Sequence, residues 1–250
     1  MGNKKLTIIT ISKSDIPSLE VTLESLHQQE EKNYSLILVL ADFDVGAIDT
    51  ILDKYDLPNV SVILDDGLGI FQAMNTGLNK CQSAYALFLN GGDRLIQKTA
   101  VARIISEINN NTQPTNIAFN VVQEINDEKF QRLAKHKKRL LDFRYFPPPH
   151  QGFIALLDKN IIFKRRYGNS ADTYWIFEQI DKMGCRYICD YDLSSFSLGG
   201  ISNNPSKISI DGVNIKSAKS ILKFCMFWIV GLQNYYIITS WITGYKRLNR

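Results

Sequence analysis

Little in this chain points to a disulfide-stapled, intrinsically disordered or nucleic-acid-binding protein. It has four cysteines in 250 residues, Cys81, Cys185, Cys189 and Cys225. Cys185 and Cys189 lack the second ligand pair at matching spacing that a zinc site needs. Scattered thiols of this kind fit a reducing, cytoplasmic setting. Neither charge sign dominates: 29 Lys and Arg stand against 25 Asp and Glu, a formal +4. That excludes a strongly basic nucleic-acid surface but suits an anionic substrate or an anionic membrane surface. The first apolar run, residues 6–11, is too short for the core of a secretion signal, and Lys13 and Asp15 follow it. The myristoylation pattern fails at Leu6. There is no internal repeat and no domain linker. With 45% apolar and 22% charged residues, the composition is that of a folded globular chain.

What is present is an alternation of short apolar runs and helical patterns. Residues 6–11, 36–40, 60–64 and 84–89 read as buried strands. Between them, Ser14 or Asp15 starts a helix with Pro17 in its first turn and Leu19, Leu23 and Leu26 on one face. Residues 47–55 form a short helix, and Ile70, Met74, Gly77, Leu78 and Cys81 fall at helical spacing. Such alternation predicts an α/β fold with a mostly parallel sheet and helices on both faces. Ligands of such sheets bind outside the carboxyl ends of the strands. The loops beginning at Ser12, Ala41, Asp65 and Asn90 all fall there and are predicted to share one site. The second half is less regular. Residues 116–125 alternate and suit a hairpin through Asn126-Asp127. Residues 134–144 are basic, and 147–149 are three prolines leading to His150-Gln151. Residues 171–183 are helical and end on Gly184. Residues 186–190 suit another strand.

The tetrapeptide Asn90-Gly91-Gly92-Asp93 places a carboxylate just past a strand end, behind two glycines that admit a ligand close to the backbone. A hard cation bridging to a diphosphate takes such oxygen ligands. A plain tight turn with a capping Asp is the competing reading.

In context, Gly69-Ile70-Phe71-Gln72-Ala73-Met74-Asn75-Thr76-Gly77 followed by Phe88-Leu89-Asn90-Gly91-Gly92-Asp93 resembles the GT-A family 2 glycosyltransferases, with their G-I-Y-D-A-M-N-x-G and F-L-N-S-G-D runs. The first strand with Thr7-Ile8-Ile9-Thr10, the helix carrying 22–26 and Gln29, His150-Gln151, Ser170-Ala171-Asp172 and Phe196–Ser202 of the F-x-[LM]-G-G-[IV]-S type extend the resemblance over about residues 5–205. Their order is most similar to the colanic-acid and O-antigen branch. The chain departs from the pattern at Leu40, Gly67 and Gln72, where the family carries acidic residues. Asp42 or Asp44, and Asp65 and Asp66, stand nearby.

The resemblance implies a GT-A domain over 1–210, with a nucleotide-sugar half at 1–95 and an acceptor half at 96–210. It implies inverting transfer of a sugar from a nucleotide diphosphate to a saccharide acceptor, lipid-linked, in bacterial surface polysaccharide assembly. Donor binding falls to Thr10, Ser12, Asp42, Asp44, Asp65, Asp66, Asn75, Asn90, Gly91 and Gly92. Asp93 is the expected ligand of Mg²⁺ or Mn²⁺, and Asp172 the expected base, with a helix cap as its alternative. His150, Gln151, Gly199 and Gly200 are placed on the acceptor or diphosphate side. Two rival functions are a non-catalytic GT-A-like binding or assembly subunit and another enzyme acting on nucleotide sugars. A nucleotidyltransferase would want a glycine-rich loop after the first strand, where this chain has Ser12-Lys13-Ser14-Asp15.

Residues 211–250 form a C-terminal extension. Residues 224–245 carry no charge, and Phe224, Trp228, Gly231, Tyr235, Ile238, Ile242 and Tyr245 make a stripe at helical spacing. Lys219 and Lys223 precede it, and Lys246, Arg247 and Arg250 follow. This pattern predicts a helix lying on an anionic membrane surface, ahead of packing against the domain or spanning the bilayer. The expected location is the cytoplasmic face of the cell membrane.

Overall fold

The computed structural model describes residues 4–110, 112–125, 128–135, 147–197 and 246–248. Its amino-terminal half alternates as the apolar runs dictate. β1 (Leu6–Lys13), α1 (Ile16–His27), β2 (Tyr34–Ala41), α2 (Val45–Lys54), β3 (Val60–Leu64), α3 (Ile70–Lys80) and β4 (Tyr85–Phe88) follow in order. β1 is buried along all but its last residue, as expected of a strand covered on both faces. The Asp15 carboxylate accepts the Ser18 N–H at 3.0 Å and caps α1, with proline in the first turn. β1 pairs in parallel with both β2 and β4, and β2 with β3. The carboxyl ends of these four strands therefore open on one edge of the sheet, as the alternation required.

The remaining elements are β5 (Arg94–Leu95), α4 (Ala100–Asn109), β6 (Asn116–Ile125), β7 (Glu128–Arg132), β8 (Phe153–Leu156), α5 (Ala171–Met183), β9 (Cys185–Ser197) and β10 (Lys246–Leu248). β6 and β7 pair antiparallel with Ile125 opposite Glu128, in line with the expected hairpin. α5 has its expected bounds and stops at Gly184, whose φ of 68° favours glycine. Besides the short strands β5 and β10, two elements have no counterpart in the predicted pattern. One is α4, which buries Val101, Ile104, Ile105 and Ile108. The other is β8, which runs antiparallel between β4 and β6. The strand expected at 186–190 extends over thirteen residues, and its parallel pairing with β6 shifts register around Phe119–Val121.

Together the described strands make one mixed ten-stranded sheet in the order β10-β7-β6-β8-β4-β1-β2-β3, with β9 against β6 and β5 against β9. One face carries Leu19, Leu23 and Leu26 of α1 with the apolar side of α4. The other carries Met74 and Leu78 of α3 with Trp175 and Ile176 of α5. There, the Phe163 and Trp175 rings stack 4.6 Å apart, and Phe88 meets both edge-on.

The basic stretch at 136–144, Gly199, Gly200, Cys225 and the uncharged residues 224–245 lie outside the described residues. No described helix is long and apolar enough to cross a membrane. Lys246–Leu248 pairs with β7. The end of the expected extension thus returns to the domain sheet, because its backbone completes the β7 edge.

Candidate active site

The chain leaving β4 is fastened before any ligand is considered. The Gly91 N–H donates to the Ile11 carbonyl at 3.0 Å, and the Gly92 N–H lies 2.8 Å from the Ser18 carbonyl and 3.0 Å from the Thr22 hydroxyl. Thr22 Oγ1 in turn lies 2.7 Å from the Asp93 carbonyl. A Cβ on Gly91 would come within 2.9 Å of Ser12 Oγ, so glycine lets the β4 loop close onto the end of β1. Gly92 has φ +94°, a conformation that other residues rarely adopt. Thr22 belongs to a helix pattern in the sequence. Its role as the clip of this loop has one signal there, a hydroxyl on the buried side of α1.

Two polar atoms at these strand ends are buried without a hydrogen-bond partner, Thr10 Oγ1 and Asn90 Oδ1. Buried polar groups are nearly always paired, so such orphans mark a place where a ligand completes the bonding. Asp42, at the end of β2, has φ +58° and pairs with Lys13 at 3.1 Å on the surface. Asp65 accepts the Gly67 N–H at 3.0 Å, and Asp66 is exposed in the same turn. Thr10, Ser12, Asp42, Asp65, Asn90, Gly91 and Gly92 therefore lie at the carboxyl ends of the parallel strands.

Two residues of the expected donor set also serve the fold. Asp44 caps α2 through the Ala47 N–H at 3.0 Å. Asn75 spends both ends of its amide on Phe163, donating to its carbonyl at 2.9 Å and accepting its N–H at 2.8 Å. Asn75 thus ties α3 to the second half of the chain.

On the other side of the site, His150–Gly152 forms a single 3-10 turn before β8. β8 pairs antiparallel with β4, with Leu87 opposite Ile154. Continuing that register brings residues 150–152 beside 89–91, which is how a residue sixty positions away reaches the β4 loop. Gly152 fits because its Cα packs on β6, where a Cβ would sit 2.6 Å from the Phe119 carbonyl oxygen. The Ser194 hydroxyl donates to the Gln151 carbonyl at 2.7 Å. His150 Nε2 lies 3.4 Å from the Asn90 amide nitrogen, and its Nδ1 lies 3.4 Å from Asp172 Oδ2.

Asp172 is not the cap of α5. Ser170 holds that position, and Asp172 lies within the first turn, where its Oδ1 accepts the Thr173 N–H at 2.7 Å. Burial by itself raises the Asp172 carboxyl. The hydrogen bond and charge of His150 and the Thr173 N–H outweigh it and hold the group below the usual carboxylate range. Asp93 behaves in the opposite way. It is 7% exposed, accepts the Asn90 N–H at 2.9 Å, and has Gln151 Nε2 at 3.5 Å. Burial pushes it up to about 6, against the lowering influence of His150, Asn90 and Gln151.

The expectation that Asp93 ligates a divalent cation meets this geometry directly. Its two oxygens face protein donors, and it is nearly enclosed. Among the described residues, no three His, Cys, Asp or Glu side chains gather around a point that could hold a metal ion. A cation shared between Asp93 and a diphosphate would take most of its ligands from the diphosphate and water, and Asp93 would have to give up the Asn90 N–H or Gln151 to reach it. A cavity of about 630 Å³ lies elsewhere, between Val21 and Gln28 of α1 and Arg94, Glu124 and Lys129. It holds none of the groups described above, and the chemistry sits at the strand ends instead.

With this geometry in place, comparison with known proteins is informative. The sequence profile described as Glycosyl transferase family 2 matches residues 7–169. No curated protein matches the chain in sequence. Among solved structures, the chain resembles S. aureus TarS 1–349 in complex with UDP. The TM-score is 0.63 at 14% identity, covering 93% of this chain and 75% of that one. It also resembles TarS 1–349 in complex with UDP-GlcNAc, with a TM-score of 0.62 at 16% identity, over 78% of this chain and 59% of that one. At such identities the likeness establishes the fold.

Proposed function

The chain belongs to glycosyl transferase family 2, whose profile spans well over half of it, and from that premise we propose that it moves a sugar from a nucleotide diphosphate to a saccharide hydroxyl with inversion. The nucleotide sugar occupies the carboxyl ends of β1 to β4. The acceptor approaches from the side of α5, and a base drawn from Asp172 and its partner His150 takes the acceptor's proton. As that oxygen attacks the anomeric carbon, the bond to the diphosphate breaks and the nucleoside diphosphate leaves with the electron pair.

One observation carries this reading. Asn90 of the β4 loop and Asp172 of α5, 82 positions apart in the chain, are bridged by the single imidazole of His150. The unpartnered Thr10 Oγ1 and Asn90 Oδ1 support the donor side. The acceptor is a lipid-linked saccharide of a bacterial surface polysaccharide. Support comes from the motif order and from the uncharged residues 224–245 with their basic flanks, which suit attachment to the inner face of an anionic membrane.

The test is transfer from UDP-GlcNAc, followed by other UDP-, GDP- and dTDP-sugars, to saccharides on a lipid pyrophosphate. Product with the opposite anomeric configuration is expected. A product that retains configuration, or failure of every nucleotide sugar to bind, overturns the reading.

A further inference from the structure

Resting on the proposed transfer reaction, we infer that His150 is the positioning residue of Asp172, acting through its Nδ1 and fixing the acceptor-side carboxylate to the donor-side strand end. Three observations converge on this ring. First, its seat is rigid. Gly152 packs where no Cβ fits, Gln151 is buried and held by the Ser194 hydroxyl, and β8 is locked between β4 and β6. Second, its two nitrogens face different halves of the site. Nδ1 faces Asp172 Oδ2 and Nε2 faces the Asn90 amide, each at 3.4 Å. An ionised carboxylate only accepts, so Nδ1 carries the proton toward Asp172, and Nε2 is the nitrogen that faces the Asn90 amide. Third, the His150 side chain is 15% exposed and that of Asp172 29%, so of the two the carboxylate is the more open to an incoming hydroxyl.

Asp172 Oδ1 is held by the Thr173 N–H and Oδ2 by His150, which leaves a carboxylate fixed in rotation with free lone pairs toward the acceptor. Contacts of this length in a ligand-free site commonly tighten once substrate is bound. Misplacing a reacting group by about 1 Å can cost on the order of 10²-fold in rate. His150 is therefore expected to act on the rate of the bound complex and not on donor affinity.

The two ring nitrogens can be separated by isosteres. His150→Asn places an amide nitrogen near the position of Nδ1 and keeps a donor to Asp172. His150→Gln places one near Nε2 and keeps only the contact to Asn90. Transfer by His150→Asn is expected within about ten-fold of wild type. Transfer by His150→Gln is expected to fall on the order of 10²-fold in kcat, with nucleotide-sugar affinity and acceptor KM unchanged. Equal loss in the two variants, or a better Gln variant, overturns the assignment. So does wild-type transfer by both.

A second measurement does not depend on turnover. The carboxyl carbon of Asp172, followed by NMR in protein labelled with ¹³C-aspartate, is expected to titrate higher in His150→Gln and near its wild-type position in His150→Asn. An unmoved titration in His150→Gln overturns the inference even if the chain transfers no sugar tested. A wild type that transfers nothing while these titrations separate as expected counts against the transfer reading alone.

Discussion

Asp93 and Asp172 both feel the charge of His150, and the fold treats them in opposite ways. Asp93 follows a strand end, is nearly enclosed, and has its carboxyl pushed up to about 6 by burial. Asp172 sits in the first turn of a helix, and its neighbours overcome burial and hold it low. The difference lies in what the surrounding backbone needs. At Asp93 a tight glycine turn needs an internal acceptor for the Asn90 N–H, so the carboxylate is spent on the loop. At Asp172 one oxygen accepts the first-turn Thr173 N–H and the other faces His150, so the charged form has two partners and only part of the carboxylate is taken by the helix. Under the proposed transfer, Asp93 shapes the β4 loop, and Asp172 is the carboxylate with the more open side chain on the α5 side.

The comparison breaks most visibly at Asp172. Asp172→Asn is expected to lower transfer about 10²–10⁴-fold, the range for loss of a general base. Its melting temperature should stay near wild type, since an Asn amide oxygen can still accept the Thr173 N–H. The seat of the His150 ring comes next. Gly152→Ala forces a Cβ into the Phe119 carbonyl and the Val121 side chain. A loss on the order of 1–3 kcal/mol in urea unfolding is expected, with a fall in transfer per folded molecule because His150 rides on the same turn.

Asp93 answers to pH. A carboxyl whose folded value lies above its ordinary 3.8 favours the fold only while protonated. That contribution is complete below about pH 4 and is lost as pH rises through about 6. Relative to Asp93→Asn, wild-type stability should therefore decline between pH 4 and 6, by at most on the order of 3 kcal/mol. A difference that grows with pH would reverse the sign and refute the burial argument.

Much of the parallel half of the sheet is legible in the sequence because its forces are local. Each strand of the parallel half is a short apolar run, each helix shows its own stripe, and topology alone places Ser12, Ala41, Asp65 and Asn90 at one edge. The acceptor side depends on distant partners. β8 is only four residues long, too short for a periodic signal, yet its insertion between β4 and β6 carries His150 to Asn90. β9 is longer than its apolar run suggests because register shifts let it continue along β6. α4 has a plain helical stripe at Val101, Ile104, Ile105 and Ile108 and was readable in principle. Asp44 and Asn75 carry suitable side chains in suitable places, but a helix end and the Phe163 backbone claim them. That competition between backbone and ligand is settled only by three-dimensional contacts. The strand Lys246–Leu248 follows the same rule, since edge pairing with β7 is invisible in a basic tail.

The division of labour between the two carboxylates is tested most directly by measuring nucleotide-sugar affinity and transfer rate together in wild type, Asp93→Asn and Asp172→Asn. Asp172→Asn is expected to bind the nucleotide sugar as wild type does and to transfer it about 10²–10⁴-fold more slowly. Asp93→Asn, folded, is expected to keep transfer well above that of Asp172→Asn. Rapid transfer by Asp172→Asn beside an inactive but folded Asp93→Asn would contradict the account.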